Sequence, residues 1–212
     1  MVDGSVDILK TCVESASSAA VSKRSSSAAK ATAAIIYAIE EEEMNIEKKL
    51  AAMGIRLPEL GSWDSKLGTA QAYYGQQYGK MKPYHRIGNL LMLSGHVPDL
   101  PDGTRLHPGR VGAEVTVEQA YQAARQTGIN CLGGLRQALG DLDKVEALAR
   151  TLNFVVCAPG FADPNLVSSG LTDLFAEVFG PERGIGCRAT IGVMSLAGNH
   201  CYEAWMDVEV RD

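Results

Sequence analysis

The sequence lacks an excess of positive charge. Lys and Arg number 20 against 25 for Asp and Glu, which gives a formal net charge of −5. Such a balance offers no broad electrostatic attraction for phosphate backbones or anionic membrane surfaces. No basic stretch interleaved with aromatic residues compensates for it. We therefore expect no nucleic-acid partner.

Patterned cysteines and long apolar runs are also missing. The five cysteines are widely spaced and show neither CxxC nor Cys/His ligand spacing, so the pattern indicates neither a disulfide framework nor a metal site. No uninterrupted apolar run approaches the roughly 18 residues that span a bilayer, and no secretory signal opens the chain. These absences predict a soluble, cytoplasmic protein with no membrane partner.

A compositional shift separates residues 1–43 from the rest of the chain. Ser15–Ile39 is rich in serine and alanine and contains basic but no acidic residues. It faintly resembles an organellar transit segment, although acidic residues precede it, and such segments are usually poor in acid. Two interpretations stay open: a variable helical or disordered extension, or a segment that directs the protein to the mitochondrion or another organelle.

The remainder divides into two parts. Residues 44–81 begin with helical spacing at Ile46, Leu50 and Met53 and continue as an irregular arm. Residues 82–212 alternate apolar strand patterns with helix patterns, and each helix has local start and stop signals. Thr116 and Gln119 have capping-box spacing, and Asp163-Pro164 is typical of a helix start. The elements of this part are strands at Leu90–Leu93, Leu148–Ala158, Arg188–Leu196 and Cys201–Val210, and helices at 116–140 and 163–180.

This order predicts an α+β fold with a mixed sheet and two helices packed on one of its faces. The dipeptide Gly198-Asn199 suits a tight primed turn, so the last two strands are predicted to form a hairpin.

Four segments carry a family resemblance. They are Lys82-Pro83-Tyr84, Gly88 to Pro98, Cys187-Arg188-Ala189-Thr190, and Tyr202-Glu203-Ala204. Together they resemble the Rid family (reactive intermediate deaminase, RidA/YjgF) over roughly Met44 to Asp212. The resemblance implies a chorismate-mutase-like subunit, a homotrimer, and ligand clefts between subunits.

The resemblance also implies an activity. Deaminase-type members hydrolyse reactive 2-enamino and 2-imino acids to 2-oxo acids and ammonia without a cofactor or metal. By residue-for-residue match, Arg188 would hold the carboxylate of the substrate and Glu203 would act on the hydrolytic water. Tyr84, the Ser94-Gly95 pair and Thr190 match further pocket positions.

Chemistry alone leaves these roles open. Arg188 stands among apolar strand residues, where a buried guanidinium needs an anion that its planar fork can bind with two hydrogen bonds. The residues alone favour a protein carboxylate as that anion, and the family resemblance favours a ligand. Glu203 could take a proton from water, or could be an ordinary solvated strand residue. Tyr84 could donate its phenol, Thr190 shares the strand face of Arg188, and Ser94-Gly95 could simply form a turn.

The predicted hairpin adds a geometric expectation. A two-residue turn would pair Arg188 with Glu209, which puts Glu203 about 20 Å from Arg188 along the strand. If both residues serve one pocket, another subunit must supply one of them.

Departures from the family pattern keep other functions open. Thr190 stands where some deaminases have cysteine, Thr172 or its neighbour stands where asparagine is common, and Gly184–Gly186 lacks a usual proline. These changes suggest a divergent subgroup, so a non-catalytic trimer that binds small carboxylates is the alternative. The third possibility is the ribonuclease or translation-inhibitor activity attributed to parts of the family, against which the acidic balance counts.

Overall fold

The first described element is a short helix that packs onto the core. The computed structural model describes residues 45–59 and 81–212. Helix α1 (Ile46–Ala52) begins after Asn45, whose side chain accepts a hydrogen bond from the backbone N–H of Lys48, and it buries Ile46 and Leu50. The predictions for residues 1–43, and for the arm over 60–80, lie outside the described residues.

A five-stranded sheet and two long helices make up the rest. In chain order the elements are β1 (Tyr84–Ile87), β2 (Leu90–His96), α2 (Val117–Leu139), β3 (Val145–Val156), α3 (Pro164–Gly184), β4 (Cys187–Val193) and β5 (Tyr202–Val210). The strand order is β1-β2-β5-β3-β4. Only β3 and β4 are parallel; the other neighbouring pairs are antiparallel.

The core lies between one face of this sheet and the two long helices. Alternate residues of β5, from Tyr202 to Val210, are buried in this core, while the residues between them lie on the uncovered face. The α+β prediction, with a mixed sheet and two helices on one face, is confirmed. Within the described part of the chain, no helix is both long and apolar enough to cross a membrane.

Helix α2 follows its local sequence signals. Thr116 and Gln119 form the predicted capping box, and Gly140 ends the helix in the left-handed conformation with φ of 74°. Gly134 lies against His96 and Leu93 of β2, and Gly133 lies against Pro58. The glycine pair thus allows the helix backbone to approach both the sheet and the segment after α1.

Helix α3 also agrees with the sequence. Pro164 occupies the first turn, and the predicted apolar stripe of Val167, Leu171, Leu174, Phe175 and Val178 is fully buried. At Gly180 the backbone leaves helical geometry with φ of 78°, and Pro181 begins a final turn.

The predicted hairpin is wrong. Strands β4 and β5 are not neighbours, because β3 lies between them. Helix α3 carries the chain across the sheet face so that β4 can pair with β3 in parallel, and Gly198-Asn199 belongs to a short 3₁₀ turn, Ala197–Asn199. Arg188 pairs with Thr151, whereas Glu209 pairs with Leu90 and Ala147.

Candidate functional site

Arg188 lies on the edge strand β4 and points toward the helix layer. Its register partner is Thr151, which in turn pairs with Met206, a buried core residue. The Nη1 atom of Arg188 donates to Ser169 Oγ at 3.3 Å and to Thr172 Oγ1 at 3.1 Å, both on α3. Two hydroxyl groups therefore hold one end of the guanidinium.

The expectation that Arg188 is buried is wrong, because β4 has a neighbour on one side only and the residue is exposed. No carboxylate within residues 45–59 and 81–212 forms an ion pair with it. The two hydroxyl contacts use Nη1 alone, so Nε and Nη2 have no acceptor in the described part of the chain. These two nitrogens form the planar fork that matches a carboxylate.

Polar groups continue beneath Arg188. Thr190 and Ser168 share a hydrogen bond of 2.6 Å between their hydroxyl oxygens. We call Arg188, Thr190, Ser168, Ser169 and Thr172 the arginine half-site.

A buried pair supports this half-site from the sheet. The Asn153 amide donates to Ala189 O at 2.8 Å and accepts from the Tyr202 hydroxyl at 2.5 Å. Burial raises the pKa of Tyr202 well above its usual value, and the positive charge of Arg188 lowers it by less. Tyr202 therefore stays a neutral hydrogen-bond donor beneath the half-site.

Glu203 lies on the opposite, uncovered face of the sheet. The pairing of β2 with β5 shifts between Leu93↔Met206 and His96↔Ala204, so Ser94 and Gly95 together lie opposite Trp205 in a β-bulge. The Glu203 carboxylate accepts from Trp205 Nε1 at 2.9 Å. A Cβ atom on Gly95 would overlap Glu203 Oε1, so only glycine allows the carboxylate to occupy this place. We call Gly95, Glu203 and Trp205 the glutamate half-site.

Ser94 and Tyr84 lie near the β1 edge. The Ser94 hydroxyl donates to Lys82 O at 2.5 Å, and its backbone N–H donates to Pro83 O at 2.9 Å. Tyr84 pairs with Leu93 and packs partly buried against the core. Four strand spacings of about 4.8 Å separate β1 from β4, so Tyr84 and Arg188 lie roughly 19 Å apart across the sheet.

One chain cannot bring the two half-sites together. Arg188 shares its face with Thr151 and Met206, whereas Glu203 shares the other face with Phe154. The hairpin register that predicted a separation of Arg188 and Glu203 was wrong. The two residues are nevertheless separated, because they lie on opposite faces of the sheet. A pocket containing both residues would need two subunits, which stays a prediction.

One group of acidic residues could in principle hold a metal ion. Glu47, Asp141 and Asp143 are the members of this group in the described residues, and their ligand atoms lie within 4.8 Å of one another. Asp143 accepts from Ile46 N at 3.0 Å and Asp141 accepts from Asp143 N at 2.9 Å. Because the carboxylates already cap backbone N–H groups, this cluster has a structural explanation.

Sequence reasoning missed Ser169, Trp205 and the role of Thr172 as a partner of Arg188. Ser169 and Thr172 are three residues apart on α3, beside the buried stripe that includes Leu171. Helical spacing puts two such hydroxyls on one face, and that signal was present in the sequence. The contact with Arg188 was not, because it depends on which strand lies beneath α3.

A protein-family model matches most of the chain. The YjgF/chorismate mutase-like, putative endoribonuclease family matches residues 47–202. "Protein TCP17" of Trypanosoma cruzi is 35% identical over 125 residues, which is 59% of this chain and 78% of that protein.

Two solved structures have similar folds. The protein Atu1372 of Agrobacterium tumefaciens, described as of unknown function, aligns with a TM-score of 0.66 and 31% identity over 78% of this chain and 94% of its own. A putative endoribonuclease from Shewanella oneidensis MR-1 aligns with a TM-score of 0.68 and 27% identity over 79% of this chain and 100% of its own.

Proposed function

This chain belongs to the YjgF/chorismate mutase-like (Rid) family, and we propose that it hydrolyses reactive 2-imino and 2-enamino acids to 2-oxo acids and ammonia. The observation that carries the proposal is Arg188, whose Nε and Nη2 have no acceptor in the described residues while Ser169 and Thr172 hold Nη1. A guanidinium held at one end is pre-oriented for a bidentate carboxylate. All substrates of this class carry such a carboxylate beside the reacting carbon.

The reaction requires a group that moves protons at the imine carbon. Water adds to the imine carbon, and one of its protons passes through the Glu203 carboxylate to the nitrogen, which gives a carbinolamine. The carboxylate then takes the remaining hydroxyl proton and delivers it to the nitrogen as the carbon–nitrogen bond breaks and the carbonyl forms. The products are the 2-oxo acid and ammonia, and no redox step is involved. The hydrogen bond from Trp205 to Glu203 fixes the carboxylate and leaves its other oxygen for water.

The proposal includes assembly of the active site between subunits of a homotrimer. Because Arg188 and Glu203 face opposite sides of the sheet, one chain would supply the arginine half-site and its neighbour the glutamate half-site. Apolar residues on the uncovered face support such an interface, since Trp205 is 51% exposed and Ile191 is 47% exposed. Ser94 would then reach the cleft from the subunit that carries Glu203, whereas Tyr84, which pairs with Leu93 and packs against the core, lies on the other face of the sheet.

The second candidate is carboxylate binding without hydrolysis. It is favoured by Thr172, which stands at or next to the position of an asparagine common in the deaminases and is bonded to Arg188 in this chain. If this second candidate is correct, a 2-oxo acid would raise the Tm of the protein. The protein would then hydrolyse no imino acid faster than buffer does. Ribonuclease activity is a weaker candidate because the net charge is −5.

The test is hydrolysis of freshly generated 2-imino acids, measured as ammonia release above the buffer rate. Arg188→Ala should lower kcat/KM by about 100-fold, which corresponds to about 3 kcal/mol of lost carboxylate binding. Arg211→Ala is the matched control, since Arg211 is an exposed arginine paired with Glu146 outside both half-sites. Wild-type protein that accelerates none of several imino acids would contradict the deaminase proposal.

A further inference from the structure

A buried acid–base pair lies at one end of the sheet, near the glutamate half-site. His200 Nε2 lies 2.7 Å from Asp99 Oδ1, and the two side chains are 5% and 0% exposed. The other ring nitrogen, Nδ1, lies 2.5 Å from Ala197 O. A carboxylate and a carbonyl both accept hydrogen bonds, so each ring nitrogen of His200 lies beside an acceptor. The proposed reaction makes no direct use of this pair.

The pair joins the two segments that carry the glutamate half-site. Asp99 comes four positions after Gly95, and His200 comes three positions before Glu203. On the β2 side, Asn130 of α2 donates to Val97 O at 2.8 Å and to Asp99 O at 2.9 Å. On the β5 side, Cys201 O accepts from Val156 N at 2.9 Å. Each segment is therefore anchored to the fold just beyond the half-site.

The bulge makes this anchoring important. The last residue pair between β2 and β5 is His96↔Ala204, and the register shifts just before it at Ser94 and Gly95. Glu203 lies so close to Gly95 that even one added carbon would displace its carboxylate. A small change in the separation of the two segments would thus move the carboxylate or release it. Displacements of about 1 Å in a catalytic group can cost about 100-fold in rate.

We infer that Asp99 and His200 are a positioning pair, which fixes the end of β2 against the start of β5 and thereby holds the Glu203 carboxylate in its reactive place. This inference rests on the proposed hydrolysis for its catalytic consequence. The pair would thus act on proton transfer by Glu203. Binding of the substrate carboxylate by Arg188 would not depend on it.

The experiment measures kcat and KM separately for Asp99→Ala, His200→Ala and the double variant. We expect kcat to fall at least about tenfold, or about 1.4 kcal/mol, with KM within about twofold of wild type. The double variant should be no slower than the slower single variant, because either substitution already breaks the pair. Asp99→Asn keeps a hydrogen-bonding partner for His200 and should restore most of kcat.

Thr116→Ala controls for lost stability, since the α2 cap that it removes is formed by Thr116 and Gln119 and includes neither member of the pair. It should leave kcat unchanged. If the alanine variants do not fold, Asp99→Ser and His200→Asn are used in their place. Their shorter polar side chains break the same contact. The inference would be overturned if kcat and substrate binding were weakened equally. It would also be overturned if the fold-loss in kcat of the double variant equalled the product of the two single-variant losses.

Amide hydrogen exchange separates this inference from the proposed function. Breaking the pair should speed exchange at residues 94–97 and 202–205, whereas Thr116→Ala should not. If wild-type protein hydrolyses no imino acid, the proposed function fails, and the exchange measurement still tests the placement. Unchanged exchange at both segments would then overturn the inference by itself.

Discussion

At the scale of the residue, Gly95 and Glu203 compete for one small space between neighbouring strands. Ser94-Gly95 at a strand end is typical of a turn, and its sequence is equally compatible with a ligand role. In the structure both residues lie in a bulge, and the Glu203 carboxylate occupies the space that a side chain at position 95 would need. Sequence patterns identify the glycine, but only the register identifies its neighbour.

His96 gives the protein a defined acid sensitivity. Burial lowers the pKa of its imidazole to about 4, with the Ser94 carbonyl as a weaker opposing cause. The unfolded chain, with its ordinary value of 6.5, binds a proton that the folded chain does not bind between these two values. The free energy of unfolding should therefore fall by about 3 kcal/mol as the pH drops from 6.5 to 4.

Urea unfolding across this pH range measures the effect. His96→Gln keeps a polar side chain of similar reach but cannot be protonated, so this part of the pH dependence should disappear. An unchanged slope in His96→Gln would assign the acid sensitivity to other groups.

At the scale of the element, α2 and α3 cross closely at Gly170. A Cβ atom on Gly170 would overlap the backbone carbonyl of Tyr121, which cannot move without the helix, and would also lie close to Arg125 N. Helix propensity alone predicts that Gly170→Ala gains about 1 kcal/mol. Overpacking against backbone should outweigh that gain and give a net loss of about 2 kcal/mol.

Gly128→Ala is the matched control in the same helix interface. Its Cβ would meet Leu174 Cδ2, the end of a flexible side chain, so a much smaller loss is expected. Chemical denaturation gives the free energy of unfolding of both variants. A Gly170→Ala variant that is more stable than wild type would contradict the predicted overpacking.

Elements whose signals are local were predictable, and their order in the sheet was not. The capping box at Thr116, the glycine cap at Gly140 and the buried stripe on α3 each follow from a few neighbouring residues. The Gly198-Asn199 turn signal was equally local, yet β3 occupies the place beside β5 that the hairpin would have given to β4. Competition between distant strands decided this pairing, and a turn dipeptide carries no information about it.

At the scale of the whole molecule, one sheet face is covered by helices and the other carries exposed apolar side chains. Trp205 and Phe154 form an edge-to-face ring pair on the uncovered face, with 5.3 Å between the ring centroids. Phe154 also pairs with Ile191 of β4. A surface of this kind is typical of an interface.

If the proposed trimer forms, we expect Trp205→Lys combined with Ile191→Lys to convert it into single chains, because burying two unpaired ammonium groups in an interface is strongly unfavourable. Gln122→Lys is the control: Gln122 is exposed on α2, in the helix layer and outside both half-sites, and its replacement should leave the assembly intact. Light scattering after size exclusion gives the mass. A wild-type protein that is already a single chain would rule out the trimer.

The separation of Arg188 and Glu203 on opposite sheet faces makes complementation possible. Arg188→Ala and Glu203→Gln should each be nearly inactive alone. When the two variants are refolded together, random assembly gives about a quarter of the clefts an intact arginine from one chain and an intact glutamate from the next. Activity should therefore return to roughly that fraction, whereas a cleft built within one chain would recover none.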